Sequence, residues 1–253
     1  MSKLSRRGFF KVAGAAVAVT AVDARAAAGH AAPPAAAPAH YTFFKGAEKN
    51  FIEAAVERLI PSDDNGPGAR EAGVAYYIDV QLAGAWGAGE RLYRSGPWHS
   101  GAPTQGYQLP FTPAELYRHA LRGIEADLKK RGVSSFSKMS PQDQDKYLTS
   151  LQTGNTDLDG VPSNVFFESL LEMTIEGYFS DPVYGGNKDM VAWRAIGFPG
   201  AYATYYDLVD QHGIKFTRAP LSLGEDVRGR VHLHPNIPAY GEHKVQGKVQ
   251  GGK

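Results

Sequence analysis

The sequence contains no cysteine. That excludes disulfides, thiolate nucleophiles, cysteine-ligated iron–sulfur clusters, covalently attached haem and cysteine-type zinc sites. After the N-terminus no apolar run approaches the ~18 residues of a transmembrane helix, so the mature chain is expected not to cross a membrane. Charge of neither sign is in surplus: the net value is +1. No basic face is implied, and no nucleic-acid partner is expected. A nucleotide cradle is missing too. Gly66-Pro67-Gly68 has no third glycine and follows a helical pattern, and Gly241 to Lys248 has no Ser or Thr after its Gly-Lys. There is no Gly-x-Ser-x-Gly elbow and no His-x-x-x-His pair on a helical face. Glu168 and Glu172, one helical turn apart, read as a solvated face. No internal repeat and no β-rich section is visible. These absences leave no active site that the chain can assemble by itself.

What is present begins at the N-terminus. Ser5-Arg6-Arg7-Gly8-Phe9-Phe10-Lys11 is a twin-arginine motif, with Arg6, Arg7, Phe9 and Lys11 as its signal residues. Val12 to Val22 is alanine-rich, mildly apolar and about half the length of a bilayer span. Ala24-Arg25-Ala26 is a small-x-small cleavage site. Residues 1–26 therefore read as a cleavable leader for the Tat translocase, which places the mature protein in the periplasm. Its removal takes away Lys3, Arg6, Arg7, Lys11, Arg25 and Asp23, and the net charge falls from +1 to about −3. The twin-arginine route carries folded cargo, so a bound cofactor or a travelling partner is expected. Residues 27–40 are an Ala/Pro-rich flexible linker with nothing to bury.

Residues 41–215 are expected to form one mostly α domain with long ordered loops of Gly, Pro and aromatic residues, and 216–253 an irregular tail with one or two short strands. From Ala47 to Ile60 the apolar positions Phe51, Ile52, Ala55, Val56 and Leu59 recur at helical spacing, and Pro61 stops the helix. Arg70 to Leu82 reads as a second helix, with Val74, Ile78 and Leu82 on one stripe. Thr112-Pro113-Ala114-Glu115 is a capping box opening a helix to about Arg131, buried through Tyr117, Leu121, Ile124 and Leu128. Ser140-Pro141-Gln142-Asp143 starts another, to about Leu151, and 152–161 reads as a polar turn region. Pro162 to Tyr178 is the most apolar helix, with Phe166, Leu170, Met173 and Gly177 on one line and Phe167, Leu171, Ile175 and Tyr178 beside it. Shorter helical turns are predicted over 188–195 and 200–209. Residues 84–111 show no period, and a loop of that length is usually functional or held by a partner.

Three groups of side chains have ligand chemistry. Asp63, Asp64 and Asn65, and Asp157 with Asp159, carry oxygen ligands without calcium-loop spacing, and are read as polar turns. His232, His234 and His243 are read as a solvated tail. No metal site and no cofactor site is assigned to the chain. The most concentrated feature is Glu176 to Gly200, which gathers Tyr178, Phe179, Tyr184, Trp193 and Phe198. Large rings left in water cost free energy, so this loop must be covered. One reading is a loop that closes the domain's own core. The other is a partner interface on Tyr178, Phe179, Asp181, Tyr184, Asn187, Trp193 and Arg194, with Trp98 from the 84–111 loop. Burial of Trp193 inside the chain would give it a packing role and move the interface to Tyr184 and the 84–111 loop.

Two blocks carry a family resemblance. The first is Leu59-Ile60-Pro61-Ser62-Asp63 with Gly66-Pro67-Gly68-Ala69, Ala72-Gly73-Val74 and Tyr77-Ile78-Asp79. The second is Glu176-Gly177-Tyr178-Phe179-Ser180-Asp181-Pro182, then Tyr184-Gly185-Gly186-Asn187, Trp193 and Ile196-Gly197-Phe198-Pro199-Gly200. With the leader, the chain resembles the gluconate 2-dehydrogenase subunit 3 family over about residues 5–210. The resemblance implies the small subunit of a membrane-associated, flavin-dependent sugar or polyol dehydrogenase. FAD would sit in a large subunit, and haem c in a multihaem cytochrome subunit that passes electrons to quinone. The small subunit would have no active site of its own, would escort the large one through export, and would meet the membrane only through its partners. The rival reading is a free-standing exported metal-binding protein or enzyme using the acidic loop and the histidine tail.

Overall fold

The computed structural model describes residues 40–90, 92–99, 101–102, 108–201, 208, 210–214, 218–225 and 230, all within the unit Ala37–Lys253. The leader residues Arg6, Arg7, Phe9 and Lys11, most of the helical turn expected over 200–209, and His232, His234 and His243 lie outside the described residues.

The described chain is mostly helical, with six α-helices and one small sheet. The helices are α1 (Ala47–Leu59), α2 (Val74–Ala83), α3 (Pro113–Lys130), α4 (Pro141–Thr153), α5 (Ser163–Phe179) and α6 (Val191–Ile196). Their starts are set by local chemistry. The Thr112 hydroxyl accepts from the Glu115 amide at 3.1 Å, and the Glu115 carboxylate accepts from the Thr112 amide at 2.7 Å, so two orphan donors of α3 are satisfied reciprocally. Ser140 caps α4 by accepting from the Asp143 amide at 3.2 Å. Helix α2 starts at Val74 rather than Arg70, because residues 70–73 form a turn that ends on left-handed Gly73.

Helix α5 is the central element. Phe166, Phe167, Leu170 and Met173 are buried against Phe51, Ile52, Ala55 and Val56 of α1, Val74 and Ile78 of α2, Tyr117 and Leu121 of α3, and Leu148 and Leu151 of α4. Each large apolar side chain buried this way contributes about 1.5–3 kcal/mol. Ile175, expected on the buried side, is exposed instead, since the α5 stripe is narrower than its apolar content.

The segment preceding α1 is held by one buried carboxylate. Asp79 of α2 accepts from the amides of Thr42 (2.8 Å), Phe43 (2.9 Å) and Phe44 (2.6 Å), and from the Thr42 hydroxyl at 3.2 Å. Arg118 of α3 closes the same corner. Its guanidinium pairs with Glu48, donates to the Phe43 carbonyl and lies 3.8 Å from the Phe43 ring centre.

The sheet was not expected. Strands β1 (Asp157–Leu158) and β2 (Val161–Pro162) form an antiparallel hairpin within the predicted turn region. Asp159 and Gly160 both have positive φ, 58° and 88°, as a two-residue hairpin turn requires. Leu158 and Val161 bury fully, and Arg122 and His119 of α3 hold the Asp159 carboxylate.

Candidate functional site

The two sequence blocks are in contact through residues more than a hundred positions apart. Tyr178, near the end of α5, donates its hydroxyl to the Pro67 carbonyl at 2.7 Å. The Lys188 amide donates to the Ala72 carbonyl at 2.9 Å. The Gly/Pro turn between α1 and α2 thus forms a floor for the loop that follows α5.

That loop is built from the inside. Asp181 accepts from the Val183 amide at 2.9 Å and starts a 3-10 turn over Pro182–Tyr184. Gly186 sits so close to the Gly177 carbonyl that a Cβ there would overlap it. Asn187 is fully buried. Its amide group donates to the Ser180 carbonyl at 3.0 Å, and its side-chain oxygen accepts from the Ala192 amide at 2.9 Å, which ties the loop's entry to the start of α6. Asn187, Asp189 and Met190 all have left-handed backbone, with φ of 44°, 56° and 54°. Asn and Asp accept that region; Met does so only under constraint, at about 1–3 kcal/mol. The turn is therefore held in a shape its own residues would not choose.

The expected interface residues divide into two groups. Tyr178, Asp181, Asn187 and Trp193 point inward, and Phe179 is half-buried. Trp193 is only 6% exposed and its ring N–H donates to the Phe179 carbonyl at 2.9 Å, so its role is packing. Tyr184 (42% exposed), Arg194 and Trp98 lie at the surface. Ile196, 62% exposed, and Phe198, 45% exposed, lie at the surface too, although neither was among the expected interface residues; the Phe198 ring meets Trp193 edge-on at 5.0 Å. In the 84–99 segment Trp86 and Tyr93 are exposed as well. The tail segment 218–225 also reaches this region, where Leu221 bridges to Gly200.

Titratable groups here are arranged for packing. Burial, together with the neighbouring Glu176 carboxylate, pushes the Tyr77 phenol well above its usual range, and burial pushes Tyr76 up to about 12. Glu176 is exposed, but partial desolvation of its carboxyl and the charge of Glu172 raise it, with a hydrogen bond from Tyr77 acting against them. Neutral phenols beside a carboxyl group are poor nucleophiles. Among the described residues no group of three or more Asp, Glu or His side chains is placed to hold a metal ion. The Asp63 carboxylate is taken up by the amide and side chain of Asn65, at 2.8 and 3.0 Å. At the Gly66–Gly68 turn a Cβ on Gly68 would meet the Ser62 amide nitrogen at 2.6 Å, so glycine is required there for close backbone packing. Among the described residues no helix is long and apolar enough to cross a membrane. What this region exposes is Tyr184, Arg194, Ile196 and Phe198, on a loop tied down by the hydrogen bonds of buried Asn187 and Trp193.

A family model described as gluconate 2-dehydrogenase subunit 3 matches residues 46–200, from the residue before α1 to the glycine that bridges to Leu221. No curated protein and no solved structure matches the chain.

Proposed function

The chain belongs to the gluconate 2-dehydrogenase subunit 3 family, and from that premise we propose that it is the non-catalytic small subunit of a periplasmic, flavin-dependent sugar or polyol dehydrogenase. In this reading it binds and stabilises an FAD-containing large subunit in the cytoplasm. It then takes that subunit through the Tat translocase by means of Arg6, Arg7, Phe9 and Lys11. A cytochrome subunit carrying haem c receives the electrons and connects the complex to the membrane.

The observation that carries the proposal is the closure of the two motif blocks into one loop region tied down by hydrogen bonds. Buried Asn187, Trp193 and Tyr178 fix its shape, and Tyr184, Arg194, Ile196 and Phe198 are left outward. A surface held rigid before docking loses little entropy on binding, and aromatic and Arg side chains are the usual anchors. The acidic loop gains no comparable support, because the Asp63 carboxylate accepts from the amide and side chain of Asn65 within its own turn.

Co-expression of the tagged chain with the large subunit tests the proposal. A stoichiometric complex with flavin absorbance is expected. Recovery of the chain alone, beside a soluble and flavin-loaded large subunit that ignores it, would overturn it.

A further inference from the structure

Residues 218–225 lie beyond the family-matched segment and carry no sequence motif. They are nevertheless fastened to the loop at two places. The Ala201 amide donates to the Leu221 carbonyl at 2.7 Å and the Leu221 amide donates to the Pro199 carbonyl at 3.2 Å, giving a short parallel bridge at Gly200. Gly200 has φ +78°, and a Cβ on it would overlap the Leu221 backbone. The second fastening is Asp181. Besides the Val183 amide it accepts from the Ser222 hydroxyl at 2.5 Å and from the Leu223 amide at 2.8 Å. Ser222 is buried, and its hydroxyl also accepts from the Gly224 amide at 3.1 Å, so the segment is a compact turn wrapped on one carboxylate.

We propose that residues 218–225 are a latch, with Asp181 as its catch, that completes the docking face by holding the loop closed and adding Leu223 to it. Three donors converge on a carboxylate only 9% exposed, and hydrogen bonds to a charged acceptor are about twice as strong as neutral ones. Leu223 is 70% exposed and sits on a backbone bonded to Asp181; the Tyr184 amide bonds the Asp181 carbonyl at 2.9 Å. One residue thus positions an exposed apolar side chain on each of the two segments it joins. The occupant of the composite face is the large subunit. The docking half of this proposal rests on the small-subunit reading; the latch itself does not.

Amide hydrogen exchange on the full chain tests the latch. Asp181→Asn is expected to raise exchange at Leu223, Leu221 and Ala201 by about tenfold or more, with α1 and α5 unchanged. Ser222→Ala, which removes one bond, and Gly200→Ala, which blocks the bridge, should do the same more weakly and more strongly respectively; they serve if Asp181→Asn fails to fold. Unchanged exchange at those amides would overturn the latch. So would a uniform rise reaching α1, which would make Asp181 a general core residue. Recovery of the co-expressed large subunit is the second readout. Selective opening with reduced recovery supports docking through the latch, and selective opening with full recovery overturns that half. If wild type also recovers no large subunit, the small-subunit reading fails while the exchange data still decide the latch.

Discussion

Asp79 and Tyr184 show what a single residue does here when it faces in and when it faces out. Asp79→Ala leaves the buried amides of Phe43 and Phe44 without acceptors. Each orphaned donor costs about 1–3 kcal/mol, so urea unfolding should show a loss of about 3 kcal/mol or more. Asp79→Asn keeps one acceptor oxygen and should lose less. At the surface the order reverses. Tyr184→Ala should leave stability within about 0.5 kcal/mol and lower recovery of the large subunit. Trp193→Ala should cost about 3–5 kcal/mol by opening the packing under the loop, and any effect on the complex would follow from that instability. Thermal melts of the chain beside complex yields separate the two cases.

Helix α3 gives the clearest prediction at the element scale. The hydrogen bond from the Thr112 amide is the main cause holding the Glu115 carboxyl below its ordinary range, with Arg94 assisting. A carboxyl lowered in the folded state contributes stability above its unfolded value, about 4.3, and loses it as pH falls through the folded value. Glu115→Gln, which removes the charge that accepts from the Thr112 amide, should therefore lower the melting temperature at neutral pH, and the gap to wild type should narrow below about pH 4. Glu176 has the opposite sign. Its carboxyl is raised, so its ionisation opposes folding as pH rises through that value. Glu176→Gln should raise the melting temperature at pH 7 and change it little at pH 4.

The same elements show what was legible in the sequence. Helix α1 could be read from a stripe ended by a stop proline, α3 from a capping box with a stripe, α4 from its Ser-Pro start signal, and α5 from its apolar stripe alone. The hairpin at 157–162 was hidden by strands of two residues, too short for a period, although Asp159-Gly160 carried the turn signal. In the loop, the residue types marked a packed or binding surface, but facing could not be read. Helix α6 has six residues and is entered through left-handed Met190, which no propensity foretells, so nothing in the sequence turned Trp193 inward and Ile196 outward. The latch was least visible. Ser222 and Leu223 are unremarkable residues, and their partner Asp181 is 41 and 42 positions away.

For the whole molecule, the described domain is a scaffold in which α5 carries the core and the loop after it makes the surface. The family-matched segment, residues 46–200, covers all six helices and that loop, and the proposed leader and latch fall on either side of it in sequence. The small-subunit proposal requires the twin-arginine segment to serve a second chain. Changing Arg6 and Arg7 to Lys, with the large subunit co-expressed, tests this most directly through flavin-dependent dehydrogenase activity in the periplasmic fraction. This activity should fall to that of a leaderless control while flavin-loaded large subunit accumulates in the cytoplasm. Undiminished periplasmic activity would contradict the proposal.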